Sequence, residues 1–311
     1  MAEIFGLRLP IISAPMGMVA GGRLAAAVSR AGGLGLIGAG YEGAAWIERE
    51  FRHADGTGVG IGFITWDLAA SPDRLEAALA CRPTAVMLSF GDPSSFVGRI
   101  RDSGARLILQ VQTLEAAERA AALEPDLIVA QGTEAGGHGG ARALLPFLPA
   151  VVDRVSPIPV AAAGGISDGR GIVASFALGA AAVLIGTRFY AAEESLAATA
   201  AKARIVAGSG DATIRTRIFD IVRRLPWPKA FTGRVLRNAF TERWHGKEDE
   251  LENELDRENL RYADAVQTGN FGTAAVWAGE GIDLISAVAP AQEIVERLVH
   301  ETERTMARLW L

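Results

Sequence analysis

Eight short apolar runs alternate with stretches of helical character, and this alternation constrains the fold more than any other feature. The runs are 10–14, 34–37, 59–63, 85–89, 107–111, 127–130, 159–162 and 182–185. Each is continuously apolar, the pattern of a strand buried on both faces rather than one with a wet side. Helical patterning is clearest over 23–31, 43–53, 72–80, 94–103, 114–123 and 169–178. Asp73 and Ser94 stand near helix starts, Thr113 at an N-cap, and Gly104 and Gly179 where C′ glycines belong. Eight βα units in sequence predict a closed (β/α)₈ barrel of α/β class. The competing doubly wound sheet has fewer strands.

The pattern changes beyond the eighth run. Residues 211–246 are rich in Arg and Trp and are broken by Pro226-Trp227-Pro228, and 247–262 present a charged, helical-looking face. The stretch 290–309 is an amphipathic helix, with Ile294, Leu298, Glu301 and Thr305 in one line and Val295, Val299, Met306 and Leu309 as its apolar stripe. The division expected is a barrel of 1–203 plus 286–311, with a mainly helical insertion of 204–285 as a lid over the mouth.

Composition narrows the function. A net charge of −5 removes the basic footprint of nucleic-acid binding. The one cysteine, Cys81, excludes an internal disulfide and a cysteine-based zinc site, and fits a reducing, cytoplasmic setting. No basic leader opens the chain. The longest uncharged stretch, 171–187, contains Ser175 and Gly179 and reads as helix, turn and strand, not as a membrane span. No HxH, HExxH or carboxylate cluster appears, so no metal site is expected.

Chemistry concentrates at the C-terminal ends of the runs. Ala163-Gly164-Gly165-Ile166 follows the seventh and Gly186-Thr187-Arg188 the eighth. Barrels commonly bind phosphate there, on backbone N–H groups that a Cβ would screen. Gln131-Gly132-Thr133-Glu134-Ala135-Gly136-Gly137-His138-Gly139-Gly140 follows the sixth. Four glycines around one histidine pack poorly, but let a flat ligand approach the backbone and leave the imidazole exposed at the mouth as base or cation. The plain alternative is a histidine bonded to solvent or to its own loop. Ala14-Pro15-Met16 would form an apolar wall for a planar heterocycle, and Gln110 and Gln131 can donate and accept along its polar edge. His53, His245 and His300 read as surface or helix residues.

These motifs, in this order, resemble the nitronate monooxygenase family, once called 2-nitropropane dioxygenases. The match covers about residues 8–190, and Val276-Trp277-Ala278-Gly279-Glu280-Gly281 resembles the family's late segment. The resemblance implies non-covalent FMN at the mouth. Gly164, Gly165, Ile166, Gly186 and Thr187 would hold its phosphate, and Ala14, Pro15 and Met16 would line the isoalloxazine. Gln110 and Gln131 would meet its edge, Gly136 and Gly137 would pass close by, and His138 would match the catalytic histidine. Many relatives carry asparagine after the third strand, where this chain offers Thr65. The implied reaction is oxidation of a nitronate, or of a nitroalkane after proton removal, by O₂ to a carbonyl compound and nitrite.

Three alternatives stay open. One is an NAD(P)H-dependent quinone or enoyl-thioester reductase on the same barrel, whose Arg215, Arg217, Arg223 and Arg224 would bind a pyrophosphate or acidic carrier instead of forming a solvated face. Another is a flavin-free, phosphate-binding lyase or isomerase. The third is a non-catalytic scaffold that docks proteins through Trp227, Trp244 and the charged 247–262 face. Oligomeric state is left open, with a homodimer allowed.

Overall fold

The computed structural model describes residues 5–309, so the expected absence of a leader falls partly outside the described residues. Eight parallel strands close into a barrel: β1 (Ile11–Ser13), β2 (Leu34–Ala39), β3 (Gly60–Ile64), β4 (Ala85–Ser89), β5 (Arg106–Val111), β6 (Leu127–Gln131), β8 (Val160–Ala163) and β9 (Ala182–Ile185). Closure is by β1 against β9, with Ile12 opposite Leu184. These are the eight apolar runs, with small shifts at their ends.

Alternation along the strands divides the core. Ile12, Leu34, Leu36, Met87, Ile108, Leu127 and Val129, with several alanines, fill the barrel interior. Ile11, Ile37, Ile61, Leu109, Ile128 and Val183 face the surrounding helices in a larger cluster. Thr113 caps its helix as expected, its hydroxyl accepting from Ala116 N at 3.1 Å. The helix Leu144–Val155 lies outside the predicted set; Pro146 and Pro149 mask its periodicity.

The last helix, Ala291–Leu309, packs against Gly169–Ala177 and Gly22–Arg30 and completes the outer layer. Ile294, Val295 and Leu298 are buried, and Glu301 accepts from Gly169 N at 3.1 Å. Its apolar stripe stops early: Met306 and Leu309 are exposed, because the final turns run past the barrel wall.

The segment after β9 is largely helical but also carries two strands. β10 (Thr213–Thr216) pairs antiparallel with β11 (Thr232–Leu236), and β11 pairs antiparallel with β7 (Gly137–Gly139), a strand within the loop that follows β6. This small sheet fastens the late segment to the barrel mouth. Through β11 the stretch expected as a lid over the mouth is hydrogen-bonded into the loop that carries His138. Trp227 and Trp244 are buried, as are Leu251, Glu258 and Tyr262, so the tryptophans form no docking surface. Among the described residues no helix is long and apolar enough to cross a membrane, and no group of three or more His, Cys, Asp or Glu could hold a metal ion.

Candidate active site at the barrel mouth

His138 sits at the centre of β7, opposite Gly233 of β11. Gly233 is required by packing: a Cβ there would lie 2.2 Å from Trp277 Cζ3, and Trp277 needs that space to reach 5.2 Å, ring to ring, from His138. The imidazole is not exposed, as the glycine-rich loop suggested. Its side chain is 11% exposed, and the indole of Trp227 stacks on it at 3.5 Å with the planes 1° apart. Nε2 lies 2.9 and 3.0 Å from the two carboxylate oxygens of Asp220, which is itself 4% exposed. An ionised carboxylate only accepts, so Nε2 carries a proton and the neutral ring keeps its lone pair on Nδ1.

Asp220 was missed at the sequence level, where it is 82 residues from His138. Its signal was nonetheless present. Ile218–Val222 is a short buried helix whose only charged residue is Asp220, and a buried acid calls for a partner.

The histidine backbone is fixed as well. Gln131 Nε2 donates to His138 O at 2.9 Å, while Gln131 Oε1 accepts from Gln110 Nε2 at 3.2 Å and Gln112 Nε2 at 2.9 Å. Gln110 and Gln131 therefore meet each other, and Gln112 joins them.

An aromatic wall surrounds the imidazole. Trp227 packs edge-on to Phe90 at 5.1 Å and to Trp66 at 5.5 Å, and Phe231 meets Phe90 at 5.1 Å. Trp227 Nε1 donates to Tyr41 Oη at 2.7 Å. Burial pushes the Tyr41 phenol up to about 12 and raises the Glu42 carboxyl beside it. Tyr41, Trp66 and Phe90 come from the loops after β2, β3 and β4, and Trp227 and Phe231 from the late segment. The mouth is thus roofed from two parts of the chain.

The glycine turns lie on the other side of the mouth. Gly164 and Gly165 both have positive φ, +118° and +69°, which suits glycine. The late segment runs across these turns: Gly279 N donates to Thr187 Oγ1 at 3.0 Å, and Glu280 N to Glu134 O at 2.9 Å. Gly136 needs its missing Cβ for the same reason, since one would stand 2.7 Å from Gly279 N. Ile166 turns its side chain into the core and leaves only its backbone to the site. Pro15 lies over Gly62, where an added Cβ would come within 2.4 Å of Pro15 Cγ, and Gly186 faces Ala14 and Met16. The expected cofactor residues therefore gather at one mouth, with Ala14–Met16 on one wall and Gly164, Gly165, Gly186 and Thr187 on another.

The arginines of the insertion are not a uniformly solvated face. Arg215 and the Nε of Arg217 are buried without hydrogen-bond partners, and Arg223 lies over the Tyr41 ring at 5.3 Å. His53 bonds Glu50 at 3.3 Å and lies, with the exposed His245 and His300, outside the mouth.

A planar cofactor passes a structural test. A Cβ added to Gly137 would meet no atom within 4 Å, so open space lies beside that backbone. The Oγ1 of Thr65, which opens the short helix after β3, is buried with no partner, as is the guanidinium of Arg215. Arg215 shares a face of the small sheet with the open space at Gly137, and orphaned donors at the mouth are what a bound group would satisfy.

Comparison with known proteins yields a consistent set. The family model described as nitronate monooxygenase matches residues 1–58 and 64–301. The nitronate monooxygenase npaC of Metarhizium robertsii is 36% identical, over 92% of this chain and 88% of that one. The solved structure of a nitroalkane oxidase from Streptomyces ansochromogenes is 31% identical, with a TM-score of 0.82 and coverage of 99% and 100%. FabK from Thermotoga maritima is 27% identical, with a TM-score of 0.87 and coverage of 99% and 97%.

Proposed function

The chain belongs to the nitronate monooxygenase family, and from that premise we propose that it oxidises small alkyl nitronates with O₂ to a carbonyl compound and nitrite, using FMN. The observation that carries this reading is the His138–Asp220 pair, enclosed by aromatic rings at the C-terminal mouth of the barrel. FMN would be held through its phosphate by the backbone of Gly164, Gly165 and Ile166 with Gly186 and Thr187. Ala14, Pro15 and Met16 would line its ring, Gln110 and Gln131 its polar edge, and Gly136 and Gly137 would run beside it. Bound there, FMN supplies an electron acceptor for the nitronate and a route for those electrons to O₂.

The protein's part is positioning and charge. Asp220 fixes the Nε2–H tautomer, which leaves Nδ1 as the atom that takes an α-proton from a neutral nitroalkane. When the ring is protonated, the same carboxylate offsets its charge, and Nδ1–H can donate to the anionic nitro oxygens of a nitronate. Gln131 anchors the backbone of His138 so that the ring has one position. Trp227, Trp66 and Phe90 exclude water, which strengthens every charge interaction inside. The aromatic wall favours substrates whose carbon chain is apolar.

The test is an anaerobic absorbance spectrum of purified protein before and after a small alkyl nitronate is added. The reading requires a flavin spectrum that bleaches with nitronate. A flavin that bleaches rapidly with NAD(P)H and ignores nitronate moves the assignment to a reductase. Protein that cannot be reconstituted with FMN removes the cofactor.

A further inference from the structure

Arg215 differs from the other cations at the mouth in having its whole guanidinium orphaned, although the Glu42 carboxylate and Arg217 Nε are also buried without a partner. The Nε, Nη1 and Nη2 of Arg215 are all buried, and none has a hydrogen-bond partner. Its strand neighbour Arg234 is fully engaged, donating to Thr133 O at 3.0 Å and Thr213 Oγ1 at 3.1 Å and pairing with Glu280 at 2.8 Å. The other nearby acid, Glu134, accepts from Leu144 N at 2.9 Å. Arg215 is therefore a buried cation whose acidic neighbours are committed elsewhere. Burial, followed by repulsion from Arg234, pulls its guanidinium down to about 10.

Its direction is set by the small sheet. Arg215 lies opposite Arg234, and Arg234 opposite Gly137, so the three share one face, while His138 points from the other. A Cβ on Gly139 would meet Arg215 Nη2 at 2.5 Å and Gln131 Oε1 at 3.2 Å, which places the guanidinium head beside the Gln131 amide. The open space at Gly137 is on this same face. A rigid fork of donors thus lies beside Gln131, on the face of the small sheet that carries the open space at Gly137. Two acceptors on one edge of a planar molecule match that fork.

We propose that Arg215 donates to the N1 and C2-carbonyl edge of the bound flavin and stabilises the negative charge that this edge gains on reduction. The inference rests on the FMN reading above and adds to it a residue that tunes the cofactor's electron affinity. A competing acceptor, a nitro oxygen of the substrate, would leave the substrate-free flavin indifferent to Arg215.

The experiment uses Arg215→Met and Arg215→Lys, with flavin binding and potential measured without substrate and KM for nitronate measured separately. Apoprotein melting, FMN affinity by fluorescence quenching and the midpoint potential of the bound flavin are measured. Arg215→Met is expected to melt no lower than wild-type apoprotein, since it removes an unpaired buried charge. Its FMN affinity should fall at least tenfold. Its potential should become more negative by at least a tenfold change in the ratio of reduced to oxidised affinity, about 30 mV for a two-electron couple. Arg215→Lys should recover part of the potential, because it keeps the charge but loses the fork. Should the Met variant fail to fold, the Lys variant decides: FMN affinity and potential both equal to wild type overturn the proposal. Variants that hold flavin at wild-type affinity and potential, with only KM for nitronate changed, also overturn it and assign Arg215 to the substrate. Wild-type protein that takes up no FMN overturns the cofactor reading together with this one.

Discussion

The imidazole Nε2 of His138 and the carboxylate of Asp220 meet at 2.9 Å although they stand 82 residues apart, one in the loop after β6 and one beyond β10. Asp220 cannot donate to the ring, so the pair is polarised in one sense only. Asp220→Asn should release the tautomer and lower kcat by about 100-fold or more, in the range of positioned acid–base groups. His138→Ala should lose most turnover. Both variants should retain flavin, because neither side chain is among the residues proposed to hold it. Stopped-flow reduction by nitronate checks this, and normal turnover in His138→Ala would remove the histidine from the mechanism.

Trp227 covers the imidazole and is itself tethered through Tyr41. Trp227→Ala should open the roof. Loss of a buried indole costs about 3–5 kcal/mol of stability, read as a lower denaturant midpoint. Tyr41→Phe removes only the acceptor for Nε1 and should cost about 1 kcal/mol. If the indole shapes the substrate space, Trp227→Ala should raise KM for small nitronates more than for bulky ones, which steady-state kinetics over a chain-length series would show.

Gly62→Ala places a methyl group where Pro15 already lies, 2.4 Å from its Cγ. Overpacking of this kind costs about 1–3 kcal/mol. Since Pro15 is also a proposed wall of the flavin site, FMN affinity should fall with stability. Gly98→Ala serves as the control, because an added Cβ there meets nothing within 4 Å and the site lies far off.

Alkaline titration should report on the tyrosines. Burial raises all three, with Tyr41 and Tyr190 pushed up to about 12. The unfolded chain ionises its tyrosines near pH 10. Between pH 10 and 12 the unfolded state therefore releases tyrosine protons that the folded state retains, which lowers stability as pH rises, while Arg188 and Arg215, pulled down to about 10 in the fold, act in the opposite sense over the same window. Little tyrosinate absorbance should appear below pH 10 in native protein. Tyr41→Phe should remove one tyrosine's share of that loss, read as the difference from wild type in thermal melts across the window.

The barrel was legible in the sequence because parallel strands covered on both faces must be apolar without interruption, and 34–39 or 127–131 cannot be written any other way. The mouth residues were legible for a related reason: glycines that follow such runs, as at 164–165 and 186, mark tight βα turns. What escaped was set by distance along the chain. Gly137–Gly139 has no strand propensity and becomes a strand only because Thr232–Leu236 lies against it. Asp220 and Trp227 are ordinary residues of a mixed segment until that pairing turns them toward His138. Arg215 looked like one arginine among several, and only its place on the inner face of the small sheet, opposite Arg234, distinguishes it.

The anchoring of β7 by β11 also fixes an order of events during synthesis. A chain emerging from the ribosome presents all eight barrel strands once residue 185 is available, well before the last helix that completes the outer layer. His138 is then present but has neither its carboxylate partner nor its cover. Both arrive only with residues 213–236, so a product cut short before them would lack the enclosed His138–Asp220 pair.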